Sequence, residues 1–568
     1  MNLSRMTRRE FNKSVTSGVA STAVFAAAAP TIDLLKHFGL SNDLGNDEPT
    51  SLRFFGSPVA DLFTREIEES FQGVLENNFV ATESNGFPAG FVHASPQGQI
   101  WGGTMWTRDG GTFMRELVMR GYLEHAALLA ECLMRLVEKN HEGFYSFPMF
   151  FKGAKPGTVD WPPPMNVTND LMVPRSGTEL DGTTSIIIGM VLLWQRLPDK
   201  HPTKSHIREF LFESGSAVNY LRFKLTSQPL VPGSGEFGCG MGCQGDWDNV
   251  VQNNLVMLAL LAVGDMAEEL GSKGAAEDYR NLASKVEDKM EKYLVDKDDG
   301  WIWCIDPNTL KPDRAINDST ENRGFGGING VASMYADVLG FEPLTSSWKG
   351  VRHCERTFDR LYHTPLRQQQ FDRYGIWTQF DVLGGGLGSS PAYGQGYALQ
   401  TMLLWDKLEM ADKALACLAN STYHPVPEYN LHRKSPYYFY ERIYSPDAVG
   451  KVPIEEGCGA LNLVNVSEPL KVTRLLLGVD DSKLECVRII PRLPVTWTGV
   501  EAHHWPIRTR AGIVRADIHF EKKEAGAELT VKLASGQMIN NLQVRMPSGN
   551  GYIRREQKYV NSARFVTQ

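Results

Sequence analysis

The densest concentration of chemistry-bearing residues is the stretch 239–254, CGMGCQGDWDNVVQNN. Gly233, Gly235, Gly238, Gly240, Gly242 and Gly245 fall within thirteen residues and lead into Asp246, Trp247 and Asp248. An apolar helical pattern then runs from Val250 to about residue 270. Two carboxylates therefore flank an indole where a flexible loop becomes a fixed helix. Loops set on rigid scaffolds carry much of protein chemistry. An aromatic platform beside acids is what sugar binding and acid catalysis both need. An Asp just before a helix is equally well explained as an N-cap.

The elements that must position these groups are mostly helical. From about residue 58, apolar residues recur at three- and four-residue steps in 60–78, 115–140, 183–197, 205–225, 250–270, 274–294, 327–339, 345–362, 392–408, 410–421 and 459–477. The spacing predicts about eleven or twelve helices up to residue 478. The patterns at 183–194 and 250–263 are apolar nearly all round, so these helices must be buried on both sides. A double ring of helices accounts for that, and no strong sequence repeat accompanies it. The loops between carry most of the Trp, Tyr, Gly and Pro, as in 144–174 and 423–456. Long loops in a compact domain are usually functional. After about residue 480 the texture changes to short alternating strands at 484–492, 513–520, 527–533 and 542–545. The expected organisation is a signal peptide at 1–29, a linker or arm at 30–58, a helical domain at 59–480 and a small β-domain at 485–568.

Composition bounds the function classes. The chain has 568 residues, a net charge of −8 and 42 % apolar residues, which suits a large globular protein. It carries no basic field, so nucleic acid is not an expected partner. Arg8-Arg9-Glu10-Phe11 within TRREFNK, followed by a weakly apolar run ending in Ala26 to Ala29, reads as a twin-arginine signal. It implies export of the folded protein to the periplasm or medium of a bacterium. No run is expected to reach the roughly 20 apolar residues of a membrane span, so no membrane association is expected once the signal is removed. The eight cysteines are too sparse for a disulfide scaffold. Cys239 and Cys243 would make one local bridge, or remain free thiols. No zinc-type pairing is present, and Gly384-Gly385-Gly386-Leu387-Gly388 lacks the Lys-Ser/Thr of a phosphate loop. No metal and no cofactor are expected.

Several segments resemble known families. Trp106-Thr107-Arg108-Asp109 looks like the WTRD segment of the glucoamylases, glycoside hydrolase family 15. Glu179-Leu180-Asp181-Gly182 is similar to that family's short DG-containing motif at a helix start. Trp247-Asp248-Asn249 resembles the general-acid segments of trehalases, family 37, and of family 63 glucosidases. Glu441-Arg442-Ile443-Tyr444, followed by Ile454-Glu455-Glu456-Gly457, resembles the trehalase E-x-Y base and its EVQEGFGW run. Here one extra residue precedes Tyr444, and Cys458-Gly459-Ala460-Leu461 replaces the final aromatic pair. Pro491-Arg492-Leu493-Pro494 with Trp497 is similar to the start of the β-sandwich in related phosphorylases and rhamnosidases. The motif order also matches. The resemblance implies an (α/α)6 toroid of the six-hairpin glycosidase superfamily followed by a β-sandwich. It further implies hydrolysis of a glycoside or oligosaccharide, with glucose suggested by the nearest motifs.

Glycosidic cleavage needs a proton on the leaving oxygen and a base or nucleophile across the ring. The resemblance assigns Asp248 as general acid and Glu441 as general base. Asp246 is the alternative acid, and Glu428, in Pro427-Glu428-Tyr429-Asn430, the alternative base. Arg108 and Asp109 suit recognition of sugar hydroxyls, since Arg supplies paired donors and Asp accepts; an internal ion pair is the competing explanation. Glu179 and Asp181 suit either substrate binding or helix capping. Trp106, Trp247, Trp377 and Tyr393 suit stacking on sugar faces or core packing. His424 and His432 are read as surface or packing histidines. Three rival functions remain open at this level. An epimerase on the same barrel would carry two facing histidines. A phosphorylase would replace the base with a phosphate site. A non-catalytic glycan-binding protein would lack one carboxylate.

Overall fold

Helix periodicity divides the elements into two kinds before any contact is considered. The computed structural model describes residues 50–96, 102–148, 150–152, 180–227, 230–231, 248–298, 300–302, 304–312, 335–343, 347–362, 388–389, 393–423, 435–439, 443–444, 460–548 and 551–568. Within these, α1 (Pro58–Asn77) buries a single stripe, Ala60, Phe63, Ile67, Phe71 and Val74. In contrast, α2 (Thr107–Met119) is buried from Thr107 through Val118. The pattern alternates along the chain. The next outer helix is α3 (Leu123–Leu136), then the inner α4 (Leu180–Arg196), the outer pair α5 (Pro202–Phe212) and α6 (Ala217–Ser227), and the inner α7 (Val250–Glu269). The outer α8 (Lys273–Tyr293) is followed by an inner helix of which residues 335–338 are described and by the outer α9 (Val351–Tyr362). Inner α10 (Tyr393–Leu404), outer α11 (Leu408–Thr422) and inner α12 (Leu463–Leu477) complete the sequence. Inner helices pack on inner helices, as α12 on α2, α2 on α4 and α4 on α7, while the outer helices α1, α3, α5, α8 and α11 pack in turn on α12, α2, α4, α7 and α10. This is the expected (α/α)6 toroid.

Local chemistry sets the ends of these helices. Ser57 accepts from the Val59 and Ala60 amides, with Pro58 in the first turn, and so starts α1. Gly478, at φ +79°, ends α12; a Cβ there would lie 2.0 Å from the Ile490 carbonyl oxygen.

The expected single helix 115–140 is two helices, inner α2 and outer α3. The break is Gly121 at φ +82°, and α2 begins at Thr107 rather than after Gly110-Gly111. Arg108 and Asp109 therefore stand on the first turn of a helix, not in a loop. The expected helix 205–225 likewise divides into α5 and α6. Helix α7 corrects another expectation. It is long and apolar enough to cross a membrane, but 89 % of its apolar window is buried inside the protein. That is the burial an inner helix of a toroid requires.

The strands fall into two sorts. Three short antiparallel ribbons flank the inner helices: β2 (Thr104–Trp106) with β3 (Phe150–Lys152), β4 (Asp248–Asn249) with β5 (Cys304–Ile305), and β6 (Gly388–Ser389) with β7 (Ile443–Tyr444). The first strand of each leads into α2, α7 or α10. The second lies on the chain that leads to the next inner helix. Among the described residues, each of the three ribbons thus joins the chain entering one inner helix to the chain leading to the next.

The remaining strands make two sheets. One is antiparallel, ordered β1-β10-β11-β12-β15; the other is ordered β14-β13-β9-β8. Their spans are β8 Val479–Asp480, β9 Val487–Ile489, β10 Gly499–Thr509, β11 Gly512–Lys523, β12 Gly526–Leu533, β13 Ile539–Ser548, β14 Gly551–Val560 and β15 Ser562–Val566. Strand β12 alternates buried and part-exposed residues, as one buried face demands. One strand comes from the far end of the chain. Residues Ser51–Phe55, inside the segment expected as a linker, form β1 and pair with β10 from Ser51↔His503 to Phe55↔Gly499.

Inner helices α2 and α4 run in parallel. Cβ atoms built at Gly182, Gly111 and Gly189 would meet Thr107, Ile186 and Gly111 in turn. At the C-terminal ends of the inner helices lies a small cavity of about 40 Å³, lined by Met119, Leu192, Ala262, Val338 and Arg474 together with Trp505 of β10. The sandwich covers that end.

Candidate functional site

Of the site residues expected from the sequence, Arg108, Asp109 and Asp181 come together because they stand on the first turns of adjacent inner helices, the first two on α2 and Asp181 on α4. All three are buried. Arg108 Nη2 lies 3.1 Å from Asp109 Oδ1, and Arg108 Nε donates to the same oxygen at 3.2 Å. Arg108 Nη1 lies 3.7 Å from Asp181 Oδ2. Asp181 Oδ1 in turn accepts from the Gly182 amide at 2.9 Å. Helix N-termini favour carboxylates, so the backbone stabilises both acids, and these in turn offset the cost of placing the guanidinium between them there.

This convergence depends on glycine. A Cβ at Gly182 would lie 2.1 Å from Thr107 Oγ1, and one at Gly111 would lie 2.7 Å from the Ile186 amide nitrogen. Only backbone-to-backbone packing of α2 on α4 brings Asp181 within reach of Arg108. Two further bonds lock the loop between the helices onto both starts. Thr107 Oγ1 donates to the Pro148 carbonyl at 2.6 Å, and the Phe147 amide donates to Thr183 Oγ1 at 3.0 Å. Gly182→Ala is therefore expected to cost about 1–3 kcal/mol in stability and to weaken substrate binding. Urea unfolding together with KM would register it, whereas an unchanged KM would mean that the Arg108–Asp181 spacing is immaterial.

The other expected residues divide by what the structure describes. Trp106 ends β2, is 7 % exposed and packs with Ala94 and Phe150, its ring 5.1 Å from that of Phe150. The backbone of Asp248 lies in β4, paired with Ile305, directly before α7. Tyr393 opens α10. Glu441 precedes β7 by two residues. Glu179, Asp246, Trp247, Trp377, Glu428 and Glu441 lie outside the described residues, as do Cys239 and Cys243.

Beneath these helix starts lies a buried ionic network that periodicity did not reveal. Arg474 Nε and Nη2 donate to both oxygens of Glu116, at 2.9 and 2.7 Å. Asp337 receives Lys471 at 2.6 Å, Arg115 at 2.8 Å and Arg474 at 3.0 Å. Glu468 faces Arg115 at 3.5 Å and accepts from Gln400 Nε2 at 2.7 Å. Arg115, Lys471 and Arg474 balance Glu116, Asp337 and Glu468. These residues come from α2, α10, α12 and the segment 335–338, and all are buried. A residue with small volume again permits the approach: a Cβ at Gly396 would lie 2.7 Å from Glu468 Cβ.

The network polarises its members unevenly. Burial alone would raise Asp337, yet Arg115, Lys471 and Arg474 hold it below the usual carboxylate range. Burial draws Lys471 down to about 8, against the pull of Asp337, because Arg115 and Arg474 also repel its charge. Glu468 is raised, by burial first, with Arg115 and Lys471 opposing. Burial pushes the phenol of Tyr397, on α10, well above the ordinary value, Glu468 adds to the push, and Arg108 and Arg115 oppose it. One sequence signal existed for this network: Glu468, Lys471 and Arg474 recur at three-residue steps inside an otherwise uncharged helix.

No protein-family model and no curated protein sequence matches the chain. Solved structures do share its fold. An α-L-rhamnosidase from Dictyoglumus thermophilum is 11 % identical and superposes over 91 % of this chain and 50 % of its own, with a TM-score of 0.51. An α-L-rhamnosidase from Aspergillus terreus is also 11 % identical, over 92 % of this chain and 50 % of its own, with a TM-score of 0.53. The chain spans about half the length of these enzymes, and at such identity the likeness is one of fold.

Proposed function

We propose that the chain is a glycoside hydrolase that acts at the N-terminal mouth of the toroid. The observation that carries this reading is the convergence of Arg108, Asp109 and Asp181 on the first turns of adjacent inner helices. The ribbon strand holding Asp248 and the strand that follows Glu441 flank inner helices in the same way. Arg108 supplies paired donors and the two aspartates supply acceptors for the hydroxyls of a terminal sugar. Asp248 then protonates the leaving oxygen, and Glu441 activates water on the opposite face, with Asp246 and Glu428 as the alternatives.

A single displacement with inversion is the mechanism proposed, since it needs two carboxyls roughly 6.5–9.5 Å apart with water between them. Exo action is supported by the closed axis. The ionic network lies below the mouth and the sandwich covers the far end, which favours a pocket that takes a chain end. An α-linked glucoside or a related oligosaccharide is the proposed substrate. The fold shared with two α-L-rhamnosidases adds α-L-rhamnosides to the classes worth assaying. Export by the twin-arginine route is proposed on residues 7–13.

The test is a panel of nitrophenyl glycosides and natural disaccharides, followed by proton NMR of the first-released anomer. An α-linked substrate is expected to give the β anomer first. Release of the α anomer first would mean retention and would remove Glu441 as a base.

A further inference from the structure

The backbone of Asp248, the proposed general acid, is held from the side by a strand of only two residues. β5 pairs with β4 through Asp248↔Ile305 and Asn249↔Cys304. A ladder of two rungs fixes β4 no better than β5 itself is fixed. The chain ahead of β5 is anchored at Trp301, four residues before Ile305. Fully extended, those four residues span about 13 Å.

Trp301 is 1 % exposed and is seated on α9, a helix of the outer ring. Its amide donates to Thr357 Oγ1 at 2.7 Å, and its indole Nε1 donates to Cys354 Sγ at 3.3 Å. Its carbonyl accepts from Arg360 Nη2 at 3.3 Å. The indole meets the His353 ring edge to face, with centroids 4.9 Å apart. His353, Cys354, Thr357 and Arg360 recur at helical spacing and so line one face of α9. From the side of α8, Trp301 bridges to Val295, and the Ile302 amide donates to the Leu294 carbonyl at 2.7 Å. Amide, carbonyl, indole nitrogen and ring are all engaged. The chain that leaves this seat carries β5, so a shift of Trp301 passes to Ile305 and, through the ladder, to Asp248.

We propose that Trp301 is a positioning residue for the general acid: its seat on α9 sets the place of β5 and so the reach of Asp248 to the leaving oxygen. The proposal rests on the glycoside-hydrolase reading, with Asp248 as the acid. Proton transfer needs the acid within hydrogen-bond reach, and a misplacement of about 1 Å costs on the order of a hundredfold in rate. Sugar binding by Arg108, Asp109 and Asp181 depends on α2 and α4 and does not pass through this arm. The expected signature is a loss in kcat without a change in KM.

Thr357→Val in the full chain tests it, because it keeps the shape of the side chain and removes the acceptor of the Trp301 amide. On a disaccharide it is expected to lower kcat about ten- to a hundredfold with KM unchanged. On a nitrophenyl glycoside, whose leaving group needs no proton, the loss should be much smaller. Thr357→Ser, which keeps the hydroxyl, should retain most of kcat on both. Added to Asp248→Asn, Thr357→Val should cost nothing further on the disaccharide, since both act through one carboxyl. Trp301→Phe, which loses the indole N–H, should repeat the pattern in weaker form and serves if Thr357→Val does not fold. In an active wild type, equal losses on both substrates, no loss on either, a raised KM at constant kcat, or full additivity with Asp248→Asn overturns the proposal and leaves the hydrolase reading in place. If wild type cleaves no glycoside, the hydrolase reading has failed and the proposal falls with it.

Discussion

Asp248→Asn is expected to lower kcat/KM by about 10²–10⁴ on glycosides with poor leaving groups, and by much less on nitrophenyl glycosides. Glu441→Gln is expected to be equally slow on both. The difference follows from the two proposed roles. A nitrophenolate departs without a proton, so the general acid is dispensable there; water must be activated whatever departs. Asp248 stands in β4 immediately before α7, where a helix N-terminus favours the carboxylate over the acid. A general acid needs the opposite. Asp246 two residues away, Trp247 beside it and closure of the site on substrate are the proposed means of raising its pKa. A leaving-group series with both variants measures this directly. If Asp248→Asn is as slow on nitrophenyl glycosides as on disaccharides, the acid is not Asp248, and Asp246 becomes the candidate.

The second large effect is on stability. Asp337→Asn should lower the unfolding free energy by about 3–5 kcal/mol, the typical result of removing one partner from a buried ion pair. The Asp337 carboxylate accepts from Lys471 and Arg474 and faces Arg115, all within 3.0 Å. Without it, three buried cations face only Glu116 and Glu468. The asparagine amide can accept at one oxygen and presents donors at the other position, towards groups that are themselves donors. The readout is a drop in urea midpoint at constant slope. Adding Lys471→Met to Asp337→Asn should recover part of the loss, since one stranded charge is then gone. Asp199→Asn, which breaks the exposed Lys204–Asp199 pair, should leave the midpoint in place. A wild-type midpoint in Asp337→Asn would mean that the network is not needed to hold the inner helices together.

The pairing of β1 with β10 carries a different lesson. The segment 30–58 reads as polar and irregular, and nothing local marks Ser51–Phe55 as a strand of the sandwich. Its partner, β10, begins at Gly499. Burial of Leu52 and Phe54 and the ladder to β10 make the strand, and both require the fold to be complete. The division of 115–140 is a milder case. Gly121 is visible in the sequence, but that Gly110-Gly111 lies inside a helix is decided by the close approach of α4. An isolated helix would be weakened by that pair.

Sequence alone determined the class of fold, because amphipathic and all-round apolar periods are local properties, and a double ring is what buries helices of both kinds. It also placed Asp181 in a short motif at a helix start, whereas the start of α2 ahead of Gly110-Gly111, which puts Arg108 and Asp109 on a first turn, was decided by packing. Tertiary structure alone decided the rest. The Arg474–Glu116 and Arg115–Glu468 pairs join positions more than 350 residues apart, and a charge buried among apolar neighbours looks like a misplaced surface residue until its partner arrives. The packing glycines belong to the same class. Gly111, Gly182 and Gly396 are ordinary helix-weakening residues in the sequence, and only the facing backbone or side chain shows that nothing larger fits.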